Sequence, residues 1–303
     1  MTGRDPIRTN RRTVLAGLGA ATGLVGGGAG LGVASDTARA SAVRYERDVH
    51  RAMTRIGCAQ KNVDFGPLTV AVDAVTAPDD WDCDCDPDAI AEEVVPDWMP
   101  EERERYVAHV VERMPLSYNH YYNPRLEITL WGYTVDLGGF GDAPDNVDRY
   151  ARRAAGTRDD ERFRNLGYAL HFLQDVGQPL HTGEEIDQAR NEWVHYSYED
   201  GVAAHWGDLV DAFRGDGDAR TVENPKDATR ALARLSHERS ERIYELVEAN
   251  RNWADDPGVR PELLSITRDC LSATGRYVRG LIEWVDENGE GEVVDDPTWW
   301  PWG

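Results

Sequence analysis

Apolar residues recur at intervals of three and four along most of the chain after residue 41, and strand-like alternation does not persist there. This spacing is typical of amphipathic helices. It predicts helices over 42–56, 100–114, 146–155, 159–176, 191–213, 226–250 and 259–287. Segments rich in Pro, Gly and Asp predict loops over 78–99, 115–145, 214–225 and 288–303. The pattern therefore indicates an all-α fold, with a single helical domain over 41–287.

The segment 159–176 shows how the helical pattern arranges its residues. Three leucines share one face and predict a contact with the core: Leu166, Leu170 and Leu173. His171 and Asp175 are four residues apart, so both lie on an adjacent face. Gly167 lacks a side chain, which leaves room for another element to approach. Pro179 is expected to end the helix.

The charge of the chain is strongly acidic, with 33 basic against 55 acidic residues and a formal net charge of −22. Only Lys61 and Lys226 are lysines. An acidic, arginine-rich and lysine-poor surface is typical of salt-loving organisms, in which carboxylates keep proteins hydrated and soluble. Because nucleic acid is an anion, this surface argues against nucleic acid as a partner.

The first forty residues have the pattern of an export signal. Arg11 and Arg12 lie in "TNRRTVLAG", a Gly- and Ala-rich apolar stretch follows, and "ARA" ends at Ala40. Paired arginines of this kind predict a twin-arginine signal over 1–40, cleavage before Ser41, and an extracellular or cell-surface location. The alternative is a membrane anchor, although the stretch is rich in Gly and Ala rather than Leu.

Two further features remain open from the sequence. The cysteines are Cys58, Cys83, Cys85 and Cys270. Cys83 and Cys85 are too close to pair comfortably with each other, so either could form a disulfide with Cys58 or Cys270. Such a disulfide is favoured over zinc binding by "CDC", and its connectivity is not assigned. The Trp-rich tail over 288–303 is expected to pack on its own domain, and a peripheral membrane contact is the alternative.

The candidate chemistry lies in "HFLQDVGQPLHTGEEIDQARNEWVHYSYED", which runs from 171 to 200. His171/Asp175 and His195/Glu199 are two pairs at a spacing of four, and His181 follows the Gln-Pro break. Imidazole and carboxylate are the ligands that zinc takes at such sites. Two clusters in one short segment predict two or more metal ions, a number that suits cleavage of phosphate esters.

At this point the sequence resembles a known family. "GYALHFLQDVGQPLHTG" and "HYSYED" are similar to the H-x3-D-x5-H and H-x3-E pattern of the bacterial zinc-dependent phospholipase C family. "NHYYNP", "VVPDW" and "VHRAM" resemble further motifs of that family, and "TGRYVRGLIEWVDE" resembles its closing helix. The resemblance spans most of 41–287 and is strongest over 165–200. It implies the helical fold of the phospholipase C and single-strand nuclease type.

The resemblance also implies three zinc sites. The first would use His181, His195 and Glu199. The second would use Asp97, His120, His171 and Asp175. The third would use His50, Asp175 and the amine and carbonyl of Ser41, although the family begins its mature chain with Trp and this sequence has none between 40 and 50. A metal-bridging water, oriented or deprotonated by Asp97, would attack the phosphorus of a phospholipid or another phosphodiester. A monomer is expected.

Two rival functions are kept open. The related zinc single-strand nucleases also carry "HF-x2-D…QPLH", but Glu199 and the interval between His181 and His195 favour phospholipase C. A catalytically idle, metal-stabilised protein of the cell surface is the alternative outside enzymes. His109 lies among Ala108, Val110 and Val111 and is predicted to be a helix-packing or surface residue. His205 and His237 are also predicted to lie outside the site.

Overall fold

The computed structural model describes residues 47–61, 68–81, 118–125, 127–130, 133–136, 139–183 and 188–289. Residues 47–60 form helix α1. The helices that follow are α2 Leu68–Ala74, α3 Ala143–Gly156, α4 Asp159–Gly177, α5 Leu180–Gly183, α6 Gln188–Ala204, α7 Trp206–Arg214, α8 Pro225–Ala249 and α9 Arg260–Glu287. Helix accounts for 77% of these residues, which confirms the predicted all-α class. None of the described helices is long and apolar enough to cross a bilayer.

The segment predicted as a loop over 115–145 contains regular structure. Tyr118–His120 is a 3-10 turn. Strands β1 Glu127–Leu130 and β2 Tyr133–Asp136 pair antiparallel, with Glu127 opposite Asp136. Each strand has only four residues, so its alternation is too short to be distinguished from a loop in the sequence. The expectation that this stretch is irregular is therefore wrong.

Two helical predictions also need correction. Helix α2 was not predicted, because seven residues make only two turns and carry little periodicity. The predicted helix over 191–213 is two helices, since α6 ends at Ala204 and α7 begins at Trp206. His205 lies between them with φ −103° and ψ 15°. The predicted export signal over 1–40, the predicted helix over 100–114 and the tail from residue 290 lie outside the described residues.

Helix α4 packs against α2, α3, α8 and α9 and carries the centre of the core. Leu166 and Leu170 are fully buried and Leu173 is 1% exposed, as their shared face predicts. Gly167 faces α2: a Cβ atom added to it would lie 2.6 Å from the backbone oxygen of Ala71. The close approach predicted from this glycine is confirmed. This contact brings the residues that follow α2 beside the face of α4 that carries His171 and Asp175.

A buried arginine anchors the turn after α7. Arg279 of α9 is 1% exposed. Its guanidinium donates to the backbone oxygens of Phe213 and Asp218, at 3.0 and 2.8 Å, and to the side-chain oxygen of Gln60 at 2.9 Å. These bonds join α1, α7 and α9 at one point. They also give donors to buried carbonyl oxygens, which would otherwise lack a partner.

The described cysteines are both free. Cys58 lies in α1, Cys270 lies in α9, and each is buried. The favoured disulfide would need Cys83 or Cys85 as its other half, so it stays a prediction. Cys83 and Cys85 themselves lie outside the described residues. Burial raises the pKa of both Cys58 and Cys270 to about 12.

Candidate metal centre

The first group of ligand atoms comes from α5 and α6. Nε2 of His195 lies 2.9 Å from Oε1 of Glu199, one turn further along α6. Nε2 of His181 lies 3.6 Å from the same oxygen. The three ligand atoms are all within 4.8 Å of one another. The short helix α5, which follows the break at Pro179, thus returns His181 to the pair predicted from the spacing of four.

Hydrogen bonds orient this first group from behind. Nδ1 of His181 lies 3.2 Å from the backbone oxygen of His120. A carbonyl oxygen can only accept, so Nδ1 carries the proton and the lone pair on Nε2 faces Glu199. Gln178 donates from Nε2 to Oε1 of Glu199 at 3.1 Å and accepts from the backbone N–H of Leu180. Such partners fix the direction of metal ligands.

The second group joins Asp79, His120 and His171, whose ligand atoms also lie within 4.8 Å of one another. Nε2 of His171 is 3.3 Å from Oδ1 of Asp79 and 2.8 Å from Nδ1 of His120. Asp79 lies in the 3-10 turn Pro78–Asp80 that follows α2. Asn123 pairs with Phe140 through two backbone hydrogen bonds of 2.8 and 2.9 Å, which holds the segment of His120 against the start of α3.

The third group joins His50, His171 and Asp175, and all three are buried. Oδ1 of Asp175 faces Nε2 of His50 at 3.3 Å. Oδ2 of the same carboxylate faces Nδ1 of His120 at 2.7 Å and Nε2 of His171 at 3.2 Å. One oxygen of Asp175 therefore faces His50 and the other faces His120 and His171, as expected for a ligand shared by two metal ions.

The electrostatics of the centre favour anionic carboxylates and disfavour a charge on His171. Burial by itself would raise the pKa of Asp175, but His171, His120 and His50 together hold it well below its usual range. Burial would likewise raise the pKa of Glu199, and His195 and His181 reverse that effect and lower it. Burial lowers the pKa of His171, against the opposing charges of Asp175 and Asp79.

The donor atoms fit divalent cations. Imidazole nitrogens and carboxylate oxygens converge in each group, and a cation can accept a lone pair from each of these atoms. Asp79 supplies a second indication, because its Oδ2 is buried and has no hydrogen-bond partner among the described residues. Nε of Arg47 lies 3.9 Å from this oxygen, beyond hydrogen-bond distance. These groups could therefore hold metal ions.

The structure brings together most of the residues predicted from the sequence. The predicted ligands that lie in the three groups are His50, His120, His171, Asp175, His181, His195 and Glu199. Asp97 and Ser41 lie outside the described residues, and so does His109. His205 instead contacts Asp208 and the backbone oxygen of Ala254, and His237 contacts the backbone oxygen of Thr182. Both lie outside the three groups, as predicted.

Asp79 is the site residue that sequence reasoning missed. It occupies the position beside His120 and His171 for which Asp97 was predicted. A signal was present, because Pro, Asp and Trp occur together twice, as "APDDW" at 77–81 and as "VPDW" at 95–98. The sequence alone did not distinguish the two copies.

A pocket connects the first and third groups. Ligands from both groups line it: His50 and Asp175 from one, His181 and Glu199 from the other. The remaining wall is largely apolar and includes Val49, Met53, Val202, Leu271, Tyr198 and Cys270. A molecule in this pocket would thus touch both the ligand groups and apolar side chains.

Comparisons with known proteins add no family to this description. No protein-family model matches the chain, and a search of curated proteins finds no match. A function for this chain is therefore inferred from the motifs in its sequence and from the geometry of the three groups.

Proposed function

We propose that this protein is a zinc-dependent phosphodiesterase of the phospholipase C type. The observation that carries the proposal is the pocket, because two separate groups of histidine and carboxylate ligands open into it. A phosphodiester has two non-bridging oxygens and a leaving oxygen, so it suits a pocket with more than one cation at its wall.

Zinc is the proposed metal because the donors are imidazoles and carboxylates rather than oxygens alone. We propose two or three ions. One would be held by His181, His195 and Glu199. Another would be held by Asp79, His120, His171 and Asp175. A third would be held by His50 and Asp175, with the amine of Ser41 as the further ligand that the family resemblance implies.

Zinc ions, when bound, lower the pKa of water and offset the negative charge that develops on phosphoryl oxygens. The protein's own residues would orient the attacking water and accept its proton. Asp79 would orient the attacking water and hold its proton, in the role that the resemblance implied for Asp97. Asp175 would link the second and third groups, because one of its oxygens faces His120 and the other faces His50.

A lipid substrate is favoured over nucleic acid by two features of the chain. The pocket wall away from the ligands is apolar, which suits the glycerol and chain portions of a lipid better than a sugar. The formal net charge is −22, which disfavours a polyanion. A monomer exported through the signal over 1–40 would meet such a substrate at the cell surface.

The proposal is tested by zinc analysis of the purified protein with a substrate panel at high salt. Phospholipids, a generic phosphodiester and single-stranded nucleic acid should be compared before and after chelation. We expect two or three zinc ions per chain, turnover of phospholipid, and a lower melting temperature after chelation, since the ligands join distant segments.

Each rival function predicts a different result. Preferential cleavage of single-stranded nucleic acid would indicate the nuclease, and normal zinc content without turnover of any ester would indicate an idle surface protein. A protein without zinc, whose unfolding transition does not change when zinc is added, would contradict the metal centre itself.

A further inference from the structure

A buried glutamine spans α4 and α1 immediately behind the third group. Gln174 is 2% exposed and precedes Asp175 in α4. Its Oε1 lies 2.7 Å from Nδ1 of His50. Its Nε2 donates to Oγ1 of Thr54 at 3.0 Å. One amide therefore bonds to two residues that lie one turn apart on α1, and Thr54 is fully buried.

The two ends of this amide act differently on their partners. The carbonyl end of a glutamine accepts hydrogen bonds and the amino end donates them. In the structure the amino end faces Oγ1 of Thr54 and the carbonyl end faces Nδ1 of His50. Nδ1 of His50 must then carry the proton, because Oε1 has none to give.

In the neutral ring this tautomer leaves a lone pair on Nε2 of His50, and that atom faces Oδ1 of Asp175 at 3.3 Å. Only a doubly protonated ring could donate the hydrogen bond by which His50 lowers the pKa of that carboxyl. A lone pair beside a carboxylate oxygen is repulsive in a buried site. A cation between the two atoms removes the repulsion, since it binds both. With the opposite tautomer, Nε2–H would donate to Asp175 and close the site with a hydrogen bond.

We infer that Gln174 is a positioning residue that holds His50 in its Nδ1–H tautomer and so keeps the His50–Asp175 group open for a cation. The inference rests on the proposed metal sites but not on the proposed phosphodiester cleavage. The first group contains the same arrangement in another form, because the backbone oxygen of His120 sets the tautomer of His181. At His50 the acceptor is a side chain, so substitution can remove it.

The test measures zinc retention in the full chain and four variants. Gln174→Met removes the acceptor, Gln174→Glu keeps an acceptor at the same place, and Thr54→Val removes the bond that orients the amide. Asn165→Leu is the matched control, since the hydrogen bond that this buried amide makes to the described residues stays within α4 and ends at the backbone oxygen of Glu161. Zinc per chain is measured across a series of chelator concentrations.

We expect Gln174→Met to lose one zinc ion per chain at about 10–100-fold lower chelator concentration than the wild type, which is the usual effect of removing a partner behind a metal ligand. Thr54→Val should lose it at an intermediate concentration. Gln174→Glu and Asn165→Leu should retain zinc as the wild type does. A Gln174→Met variant that retains zinc like the wild type would overturn the inference.

Nitrogen NMR of labelled histidine gives a second readout that needs no folded variant at Gln174. In the zinc-loaded wild type, the His50 ring should be protonated at Nδ1 and bound to the metal through Nε2. A His50 ring bound through Nδ1, or protonated at Nε2, would overturn the inference. Wild-type protein that binds no zinc would overturn the inference and the metal sites together, whereas normal zinc and tautomer without turnover would contradict only the proposed function.

Discussion

Oδ1 of Asp175 lies 3.3 Å from Nε2 of His50, although α4 carries the first residue and α1 the second. The other oxygen of the same carboxylate faces His120 and His171. One side chain therefore links two of the three ligand groups. Glu199, by contrast, contacts only the histidines of its own group and Gln178 through the described bonds.

This difference predicts an unequal effect of two isosteric substitutions. Asp175→Asn should reduce zinc content by up to two ions per chain, whereas Glu199→Gln should affect one. Activity should fall more for Asp175→Asn, and by more than about 100-fold, because Asp175 would be a ligand of two ions and Glu199 of one, and losing a ligand costs more than losing a residue behind it. Zinc analysis and phosphodiesterase rates measure both effects. Equal losses would show that the groups are independent.

A second pair of substitutions decides between two carboxylates. Asp79 is the one that lies beside His120 and His171, and Asp97 is the one that the family resemblance implied. We expect Asp79→Asn to reduce zinc content and turnover severely and Asp97→Asn to change them much less. The opposite order, measured on the same preparation and substrate, would return Asp97 to the site.

The close contact at Gly167 predicts a stability change that also reaches the site. A Cβ at this position would lie 2.6 Å from the backbone oxygen of Ala71, so α2 must shift. Gly167→Ala should lower the free energy of unfolding by about 1–3 kcal/mol, as overpacking does. It should also weaken zinc binding, because Asp79 follows α2. Urea unfolding and chelator titration test this, and an unchanged midpoint would contradict it.

The zinc-free protein should become less stable as the pH falls below about 6.5. Burial lowers the pKa of His171, so in this pH range the unfolded chain binds a proton that the folded chain does not. By linkage, the free energy of unfolding then decreases with falling pH. Urea titrations between pH 8 and pH 5 measure the slope. His171→Gln should flatten it, and a slope that is equally steep in this variant would contradict the assignment.

The two described thiols should be protected until the protein unfolds. Burial raises the pKa of Cys58 and of Cys270 to about 12, which leaves almost no thiolate at pH 8. Alkylation should therefore be slow in native protein and fast in urea without a reductant. If either thiol stays unreactive in urea until a reductant is added, it forms a disulfide and the free-thiol assignment is wrong.

The sequence by itself determined the features that depend on local geometry. A spacing of four places His171 with Asp175, and His195 with Glu199, on one face of a helix whatever surrounds it. The same periodicity determined the buried face of Leu166, Leu170 and Leu173. The all-α class and the two helical pairs of the candidate metal centre follow from these patterns, because helical periodicity is a property of the chain alone.

Contacts between elements were decided only by the tertiary structure. Two stretches of the sequence combine Pro, Asp and Trp, and the packing of α2 on Gly167 is what brings Asp79, in the first of them, beside His120. Gln174 has no ligand-like spacing, and its role depends on a partner in α1. The short strands and the break at His205 were missed for a related reason. A strand of four residues carries too little periodicity to be recognised, and so does a break of a single residue. Neighbours in space follow from how helices pack, and no local pattern encodes that choice.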